Sequence, residues 1–253
     1  MGAIEVDRDG PVLTLTISNE AKRNAFTHDM TEALGESLRD AEADRSVRCI
    51  IITGAGDVAF SSGHDLREML AARDGASDRT ANDPFVAPAR MTTPTIAAIN
   101  GYAYAAGFIL ALNCDMRVCA QNASFAAPGA RIGLLPVAGQ ISRLPSLLPR
   151  AIVHELLVTC REMKAEEAYR LGFVSQVVPN GQCLAAAKTL AGQIISNSSD
   201  VIAAIKTGLE ILHERGAQSA VEFEWQDSRR LQAGPHAEEG MRAFLEKRRP
   251  VFA

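Results

Sequence analysis

Two strand-to-helix corners carry the residues of this chain that are best suited to chemistry. In the first, a β-branched run from Cys49 ends in Gly54-Ala55-Gly56, and a helix restarts near His64-Asp65. In the second, an apolar run from Thr93 breaks at Asn100-Gly101 and continues as a Gly/Ala-rich helix start. The first N–H groups of a helix have no acceptor within it, and small residues let a ligand oxygen approach them closely. Two such corners predict two converging donors for a carbonyl oxygen that becomes negatively charged.

Hydrophobic patterning predicts the elements that hold these corners. Alternation on both sides of Asp9-Gly10 indicates a hairpin, and Thr27 should cap an amphipathic helix that runs to Asp44. Polar residues at 73–84 are typical of a loop. Further strands are expected at 47–53, 115–120, 123–125 and 173–178, and further helices at 151–160, 164–171, 181–195, 200–214, 217–231 and 236–247. This order predicts an α/β core followed by a helical tail.

Composition excludes several classes of function. With 253 residues, 47% of them hydrophobic, the chain can bury one sizeable core. The net charge of −4 gives no sign of the positively charged surface that binds nucleic acid, so we expect no nucleic-acid partner. The longest apolar run, about 101–112, is too short to span a bilayer, so no membrane partner is expected. The five cysteines are scattered and lack paired ligand spacing, which favours reduced thiols, a cytoplasmic protein and no metal site.

The segments at and around the two corners resemble the enoyl-CoA hydratase/isomerase (crotonase) superfamily. The resemblance covers nearly the whole chain, and its second and third segments below lie at the two corners. Five segments carry it, in the family's order: "AKRNAF" at 21–26, "AFSSGHDL" at 59–66, "PTIAAINGYAYAAGFILALNCD" at 94–115, the stretch 143–179 and "EEGMRAFLEKRRPVF" at 238–252. The 143–179 segment is most similar to the carnitinyl-CoA dehydratase branch. The resemblance implies a crotonase-like ββα spiral core at 1–197 and a C-terminal helical trimerisation segment at 198–253.

The resemblance places the two converging donors at the backbone N–H groups of His64 and Ala106, as an oxyanion hole. In well-studied hydratases of the family, one catalytic Glu lies in a G-G-G-x-E-L pattern and a second in F-x-x-P-E. This chain has Ile109 and Gly129 there, and Val137 follows the later L-x-P segment where some family isomerases use an acid. Since a positioned acid or base is worth about 10²–10⁴ in rate, ordinary enoyl-CoA hydration is not expected.

The resemblance also implies an acyl-CoA ligand, with coenzyme A as part of the substrate and no tightly bound cofactor. Lys22 and Arg23 are the best candidates by charge, because fixed cations attract the anionic phosphates. A neighbouring subunit would complete the coenzyme site in a homotrimer or homohexamer. The other expected contacts are Ala25, Ser62, Gly63, His64, Asp65, Leu66, Phe244 and Lys247.

Individual side chains allow more than one interpretation. Asp65 fits a helix N-cap better than a catalytic acid. Tyr104 fits packing better than substrate binding, whereas Gln140 could orient a water molecule. A dinucleotide loop is excluded at the second corner, which lacks the G-x-G-x-x-G pattern. Two hypotheses for function therefore stand: an acyl-CoA lyase or isomerase with unconventional proton handling, and a catalytically silent acyl-CoA binder.

Overall fold

Two β-sheets form the core of the chain, whose computed structural model describes residues 2–71 and 83–252. The larger sheet has the strand order β1-β2-β3-β5-β7-β10 and is parallel except for the β1–β2 hairpin. The smaller sheet has the order β4-β6-β8-β9. The strands are β1 Ala3–Asp9, β2 Val12–Ser18, β3 Cys49–Gly54, β4 Ala59–Ser61, β5 Thr95–Ile99, β6 Tyr102–Tyr104, β7 Met116–Ala120, β8 Ser124–Ala126, β9 Met163–Lys164 and β10 Gln176–Val178.

Successive strand pairs wind through both sheets as a spiral. In each of the pairs β3–β4, β5–β6 and β7–β8, the first strand joins the larger sheet and the second joins the smaller one. A helix follows each of the first two pairs. This arrangement confirms the predicted α/β spiral with a C-terminal helical segment. The helices are α1 His28–Ala43, α2 Leu66–Ala71, α3 Ala87–Arg90, α4 Ala106–Asn113, α5 Leu144–Leu147, α6 Arg150–Thr159, α7 Ala165–Arg170, α8 Cys183–Ile195, α9 Ser199–Arg215, α10 Ala217–Gln232 and α11 Pro235–Leu245.

Local sequence explains the elements that were predicted well. Thr27 caps α1, because its hydroxyl accepts a hydrogen bond from the Met30 N–H at 3.2 Å. Every residue of β3 is buried, as expected for a β-branched strand inside a parallel sheet. Cys49 and Ile51 of β3 belong to the same buried cluster as Ala187 and Ala191 of α8.

The predicted strand at 173–178 is wrong over its first half. Only Gln176–Val178 pairs with β7. Phe173 and Val174 are buried, but their N–H groups donate to the Ala168 carbonyl at the end of α7. An apolar run can be buried in a loop as well as in a strand, and periodicity does not separate the two cases. Most of the predicted loop at 73–84 lies outside the described residues.

The C-terminal helices are tied to the core by buried charge. Lys206 on α9 lies 2.8 Å from the Asp115 carboxylate and donates to the Thr93 carbonyl at 2.7 Å. Asp115 also accepts the Thr95 N–H, so its carboxylate joins α9 to the start of β5. Burial raises the pKa of the Cys114 thiol to about 12. Within the described ranges, every helix is too short or too polar to cross a membrane.

Candidate functional site

Asn24 holds the 21–26 loop against the first corner. Its side-chain amide donates to the carbonyls of Ala55 and Ala59 at 2.9 and 2.7 Å, and its Oδ1 accepts the Asn19 N–H at 3.0 Å. The residue is buried and has a φ of 55°, a left-handed conformation that Asn tolerates better than most residues. Sequence reasoning missed this residue, although an Asn within an otherwise polar turn is a signal for such local bonding.

An isolated parallel β-bridge to Phe26 orients the backbone of His64. The Phe26 N–H donates to the Gly63 carbonyl and the Asp65 N–H donates to the Phe26 carbonyl, both at 2.8 Å. In a parallel bridge of this kind, the N–H of the central residue points away from the partner strand. The His64 N–H is therefore directed to the side opposite Phe26, while its ring packs edge-on against Phe85, with centroids 4.9 Å apart.

The two corners are in direct contact. A Cβ atom on Gly63 would lie 2.8 Å from the Ala105 Cβ and 3.3 Å from the Ala106 nitrogen. Ala106 is the first residue of α4, whose first internal hydrogen bond runs from the Ile109 N–H to the Ala105 carbonyl at 3.0 Å. The Ala106 N–H thus belongs to the group of donors that a helix cannot satisfy internally. The residue before His64 therefore lies against the start of α4, and His64 and Ala106 line one cavity.

A cavity of about 670 Å³ opens beside these donors. Its lining comes from the first corner, α2, residues 83–90, α4, the 127–143 stretch and α9. Ile109, Gly129 and Val137 all line it, so the three positions at which the resemblance expects acids contribute no carboxylate to this wall. The structure therefore brings together the oxyanion candidates and the altered acid/base positions.

Comparison with known proteins agrees with this geometry. The model of the family described as "Enoyl-CoA hydratase/isomerase" matches residues 7–253. The chain belongs to this family. It is 38% identical to carnitinyl-CoA dehydratase from Salmonella typhi, over 99% of this chain and 98% of that protein. It also resembles the crystal structure of an enoyl-CoA hydratase from Polaromonas sp. JS666, with a TM-score of 0.92, 33% identity and complete coverage of both chains. An enoyl-CoA hydratase from Mycobacterium tuberculosis H37Rv has a TM-score of 0.92 at 29% identity, covering 99% of this chain and 98% of that one.

In this enoyl-CoA hydratase/isomerase family member, the two basic candidates differ in their surroundings. Lys22 donates to the Asp65 carboxylate at 2.7 Å. Asp65 also accepts the Arg67 N–H at 2.9 Å and so caps α2, as predicted. The hydrogen bonds from Lys22 and Arg67 hold the pKa of Asp65 below its ordinary value. Arg23 is exposed, in a left-handed conformation with φ 57°. Part of the Lys22 charge is compensated, which leaves Arg23 as the stronger candidate for a phosphate.

Other candidates lie at the cavity or away from it. Ser62 and Leu66 line the cavity with His64, whereas Ala25 is a buried residue of the 21–26 loop. Phe244 and Lys247 do not line the cavity and lie on the exposed surface at the end of the tail. Tyr104 bonds to Ser124 at 3.0 Å and stacks near Tyr102, in keeping with a packing role.

The far end of the cavity contains polar groups that sequence reasoning mostly missed. Arg143 and Glu210 form a two-pronged ion pair, with Nη2 at 2.5 and 2.7 Å from the two carboxylate oxygens. His213 and Glu214 on α9 also line the wall, as does the buried Gln140. Because α9 lies about seventy positions after the 137–143 loop, no local pattern in the sequence connects them.

Proposed function

We propose that this protein binds an acyl-CoA thioester with its carbonyl oxygen at the N–H groups of His64 and Ala106. The contact between Gly63 and Ala105-Ala106 at the cavity carries this proposal. Two fixed N–H donors would stabilise an enolate-like anion, and removal of one such donor typically costs about 10²–10³ in rate. The names of the relatives, carnitinyl-CoA dehydratase and enoyl-CoA hydratase, support a thioester substrate and chemistry at Cα and Cβ.

Two versions of this function differ in proton handling. As a lyase or isomerase, the protein would stabilise the enolate at the oxyanion hole and move protons through water or through a side chain other than the usual glutamates. As a silent binder, it would hold the ester without turnover. Ile109 and Gly129 offer no group that exchanges a proton, which supports the silent version, whereas His64, Asp83 and His213 in the same wall are candidates for the proton transfer that the lyase or isomerase version needs. A panel of β-substituted acyl-CoA esters, assayed for turnover beside calorimetric binding, separates the two versions.

The coenzyme site is expected to depend on Arg23. The replacement Arg23→Ala should weaken acetyl-CoA binding roughly 3- to 10-fold at low salt. The effect is modest because an ion pair between an exposed arginine and a phosphate contributes little binding free energy and is screened by salt. Lys22→Ala should have a smaller effect because Asp65 already compensates that charge. Isothermal titration calorimetry measures both.

A matched control for this test is Arg45→Ala. Arg45 is exposed and precedes β3, whereas the first corner follows β3, so the same loss of charge occurs at the opposite end of the strand. The control should leave affinity unchanged. An absence of heat with acetyl-CoA and with longer esters would show that the coenzyme proposal is wrong.

The assembly is expected to be a homotrimer or homohexamer. Apolar side chains are exposed along α9, α10 and α11, among them Leu209, Trp225, Met241 and Phe244, the last with 83% of its surface accessible. Patches of this kind on a monomer mark interaction surfaces, because each Å² of apolar area removed from water contributes about 25 cal/mol. Light scattering should report a mass of three or six chains at micromolar concentration. A stable monomer under these conditions would contradict the proposal.

A further inference from the structure

The imidazole of His64 stands beside the backbone N–H group that the proposed oxyanion hole uses. The isolated bridge to Phe26 directs that N–H away from Phe26, and side chains of an extended segment stand roughly perpendicular to the plane of its hydrogen bonds. His64 and Phe26 therefore project to the same face. The ring of Phe85 agrees with this, because it packs against both, with centroids 4.9 Å from His64 and 4.8 Å from Phe26.

Covalent geometry limits how far this ring can lie from the reacting atoms. Its nitrogens are only a few bonds from the backbone nitrogen of the same residue, which keeps both within about 5 to 6 Å of it. A carbonyl oxygen that accepts the His64 N–H lies about 2.9 Å from that nitrogen, and Cα of the ester is joined to the same carbonyl carbon. His64 lines the cavity together with Ala106, which carries the second donor. A ring nitrogen can therefore come within hydrogen-bond reach of a proton on Cα.

Packing holds the ring at this position. His64 is half-buried, and Phe85, which packs edge-on against it, is buried. The Phe85 N–H donates to the Asp83 carboxylate at 2.9 Å, so a hydrogen bond fixes the segment that contacts the imidazole. A base that acts on carbon needs such fixed placement, and imidazole is the side chain that gains and loses a proton near neutral pH. The ring thus has both the position and the chemistry for proton transfer.

The second histidine of the cavity wall lies further from the two donors. His213 follows Glu210 by about one turn of α9, and Glu210 is paired with Arg143. Asn113, at the end of α4, holds the turn that precedes Arg143. At 1.5 Å per residue, this end of α4 lies about 10 Å along the axis from Ala106. His213 therefore belongs to the end of the cavity that would meet the acyl chain and not the thioester.

From these contacts we infer that the His64 imidazole is the base that removes a proton from Cα of the bound acyl-CoA ester. This inference rests on the proposed binding of the ester at the N–H groups of His64 and Ala106. The C–H electron pair forms the carbon–carbon double bond of the enolate, the carbonyl π electrons move onto the oxygen, and the proton bonds to the ring nitrogen. Return of a proton from the imidazolium to Cα reverses the step. Hydration also requires an activated water molecule at Cβ, for which Ile109 and Gly129 offer no group.

Deuterium exchange at Cα of butyryl-CoA in D₂O, followed by proton NMR, tests this inference. The unmodified protein should accelerate the exchange over buffer alone. His64→Gln removes the imidazole but keeps the backbone N–H, so it should slow the catalysed exchange about 10²-fold or more. The same variant should still bind the enolate of acetoacetyl-CoA, followed by its ultraviolet absorbance, because both backbone donors remain. His154→Gln is the matched control, since His154 is an exposed residue of α6 outside the cavity lining, and it should leave the exchange unchanged.

Retained exchange in His64→Gln would overturn the inference, as would exchange that is lost only in Asp83→Asn or His213→Gln. If the unmodified protein binds butyryl-CoA and the acetoacetyl-CoA enolate without catalysing exchange, the inference fails and the proposed function stands as a silent binder. His64→Asn is a second variant with the same backbone donor. Loss of the enolate signal in both His64 variants would show that the ring only holds the corner in place, which also overturns the inference. If no ester binds to the unmodified protein, the proposed function itself fails, and the inference fails with it.

Discussion

Crotonyl-CoA should be hydrated by this protein at least roughly 10³-fold more slowly than by a family hydratase that carries both glutamates. The structure places Ile109 and Gly129 in the cavity wall beside the oxyanion candidates, so the expected loss concerns proton transfer and not substrate access. The two losses need not multiply, because residues that act on one water molecule behave as a unit. Loss of crotonyl-CoA absorbance measures the rate directly. High hydratase activity in the unmodified protein would show that another residue carries the acid/base role.

Restoring the carboxylates tests the same point in the opposite direction. The double replacement of Ile109 and Gly129 by Glu should raise hydration far more than either single change. The two sites differ, however, in how well they accept a glutamate side chain. A Cβ on Gly129 would lie 2.5 Å from the Leu134 carbonyl oxygen, so Gly129→Glu requires the 129–136 loop to shift. At Ile109, which is half-buried on α4, desolvation should raise the pKa of the new carboxyl group. Thermal unfolding of each variant separates lost folding from lost chemistry.

Gly63→Ala should damage the proposed oxyanion hole, because Gly63 precedes His64 and lies against Ala105 and Ala106. The new Cβ would meet the Ala105 Cβ at 2.8 Å, and both atoms belong to short side chains that cannot move aside. The φ of 103° adds backbone strain for any L-residue. We expect the free energy of unfolding to fall by about 2–5 kcal/mol, combining overpacking and strain. We also expect the bound enolate of acetoacetyl-CoA, followed by its ultraviolet absorbance, to be lost.

Gly172→Ala is the matched control for this variant. Gly172 has a φ of 80°, but no atom lies within 4 Å of its Cβ position. It should therefore show only the left-handed penalty of about 1–2 kcal/mol, with the acetoacetyl-CoA enolate signal intact. Equal destabilisation of both variants, or an undiminished enolate signal in Gly63→Ala, would contradict the assignment of the Gly63 contact to the oxyanion hole.

The local sequence was sufficient to predict a structural feature wherever one short segment contains all the groups that interact. Thr27 and Met30 are three residues apart, so the cap of α1 could be predicted from their spacing. The buried run of β3 and the small residues at the start of α4 are likewise signals within single segments. The resemblance to the family then supplied the expected pairing of His64 with Ala106, which no local pattern contains.

Only the tertiary structure decided how segments distant in sequence meet. The three-residue strands β4 and β6 escaped prediction because so few residues show no periodicity, and their pairing in the smaller sheet defines them. The Lys22–Asp65 pair joins groups 43 residues apart. In the sequence, Gln140 is only a polar residue in a Gly-containing turn. It is buried because Asn113 of α4 holds that turn through the Ala138 carbonyl. Burial and hydrogen bonding between segments depend on chain topology, and composition or spacing along the chain does not specify which distant groups will share one cavity.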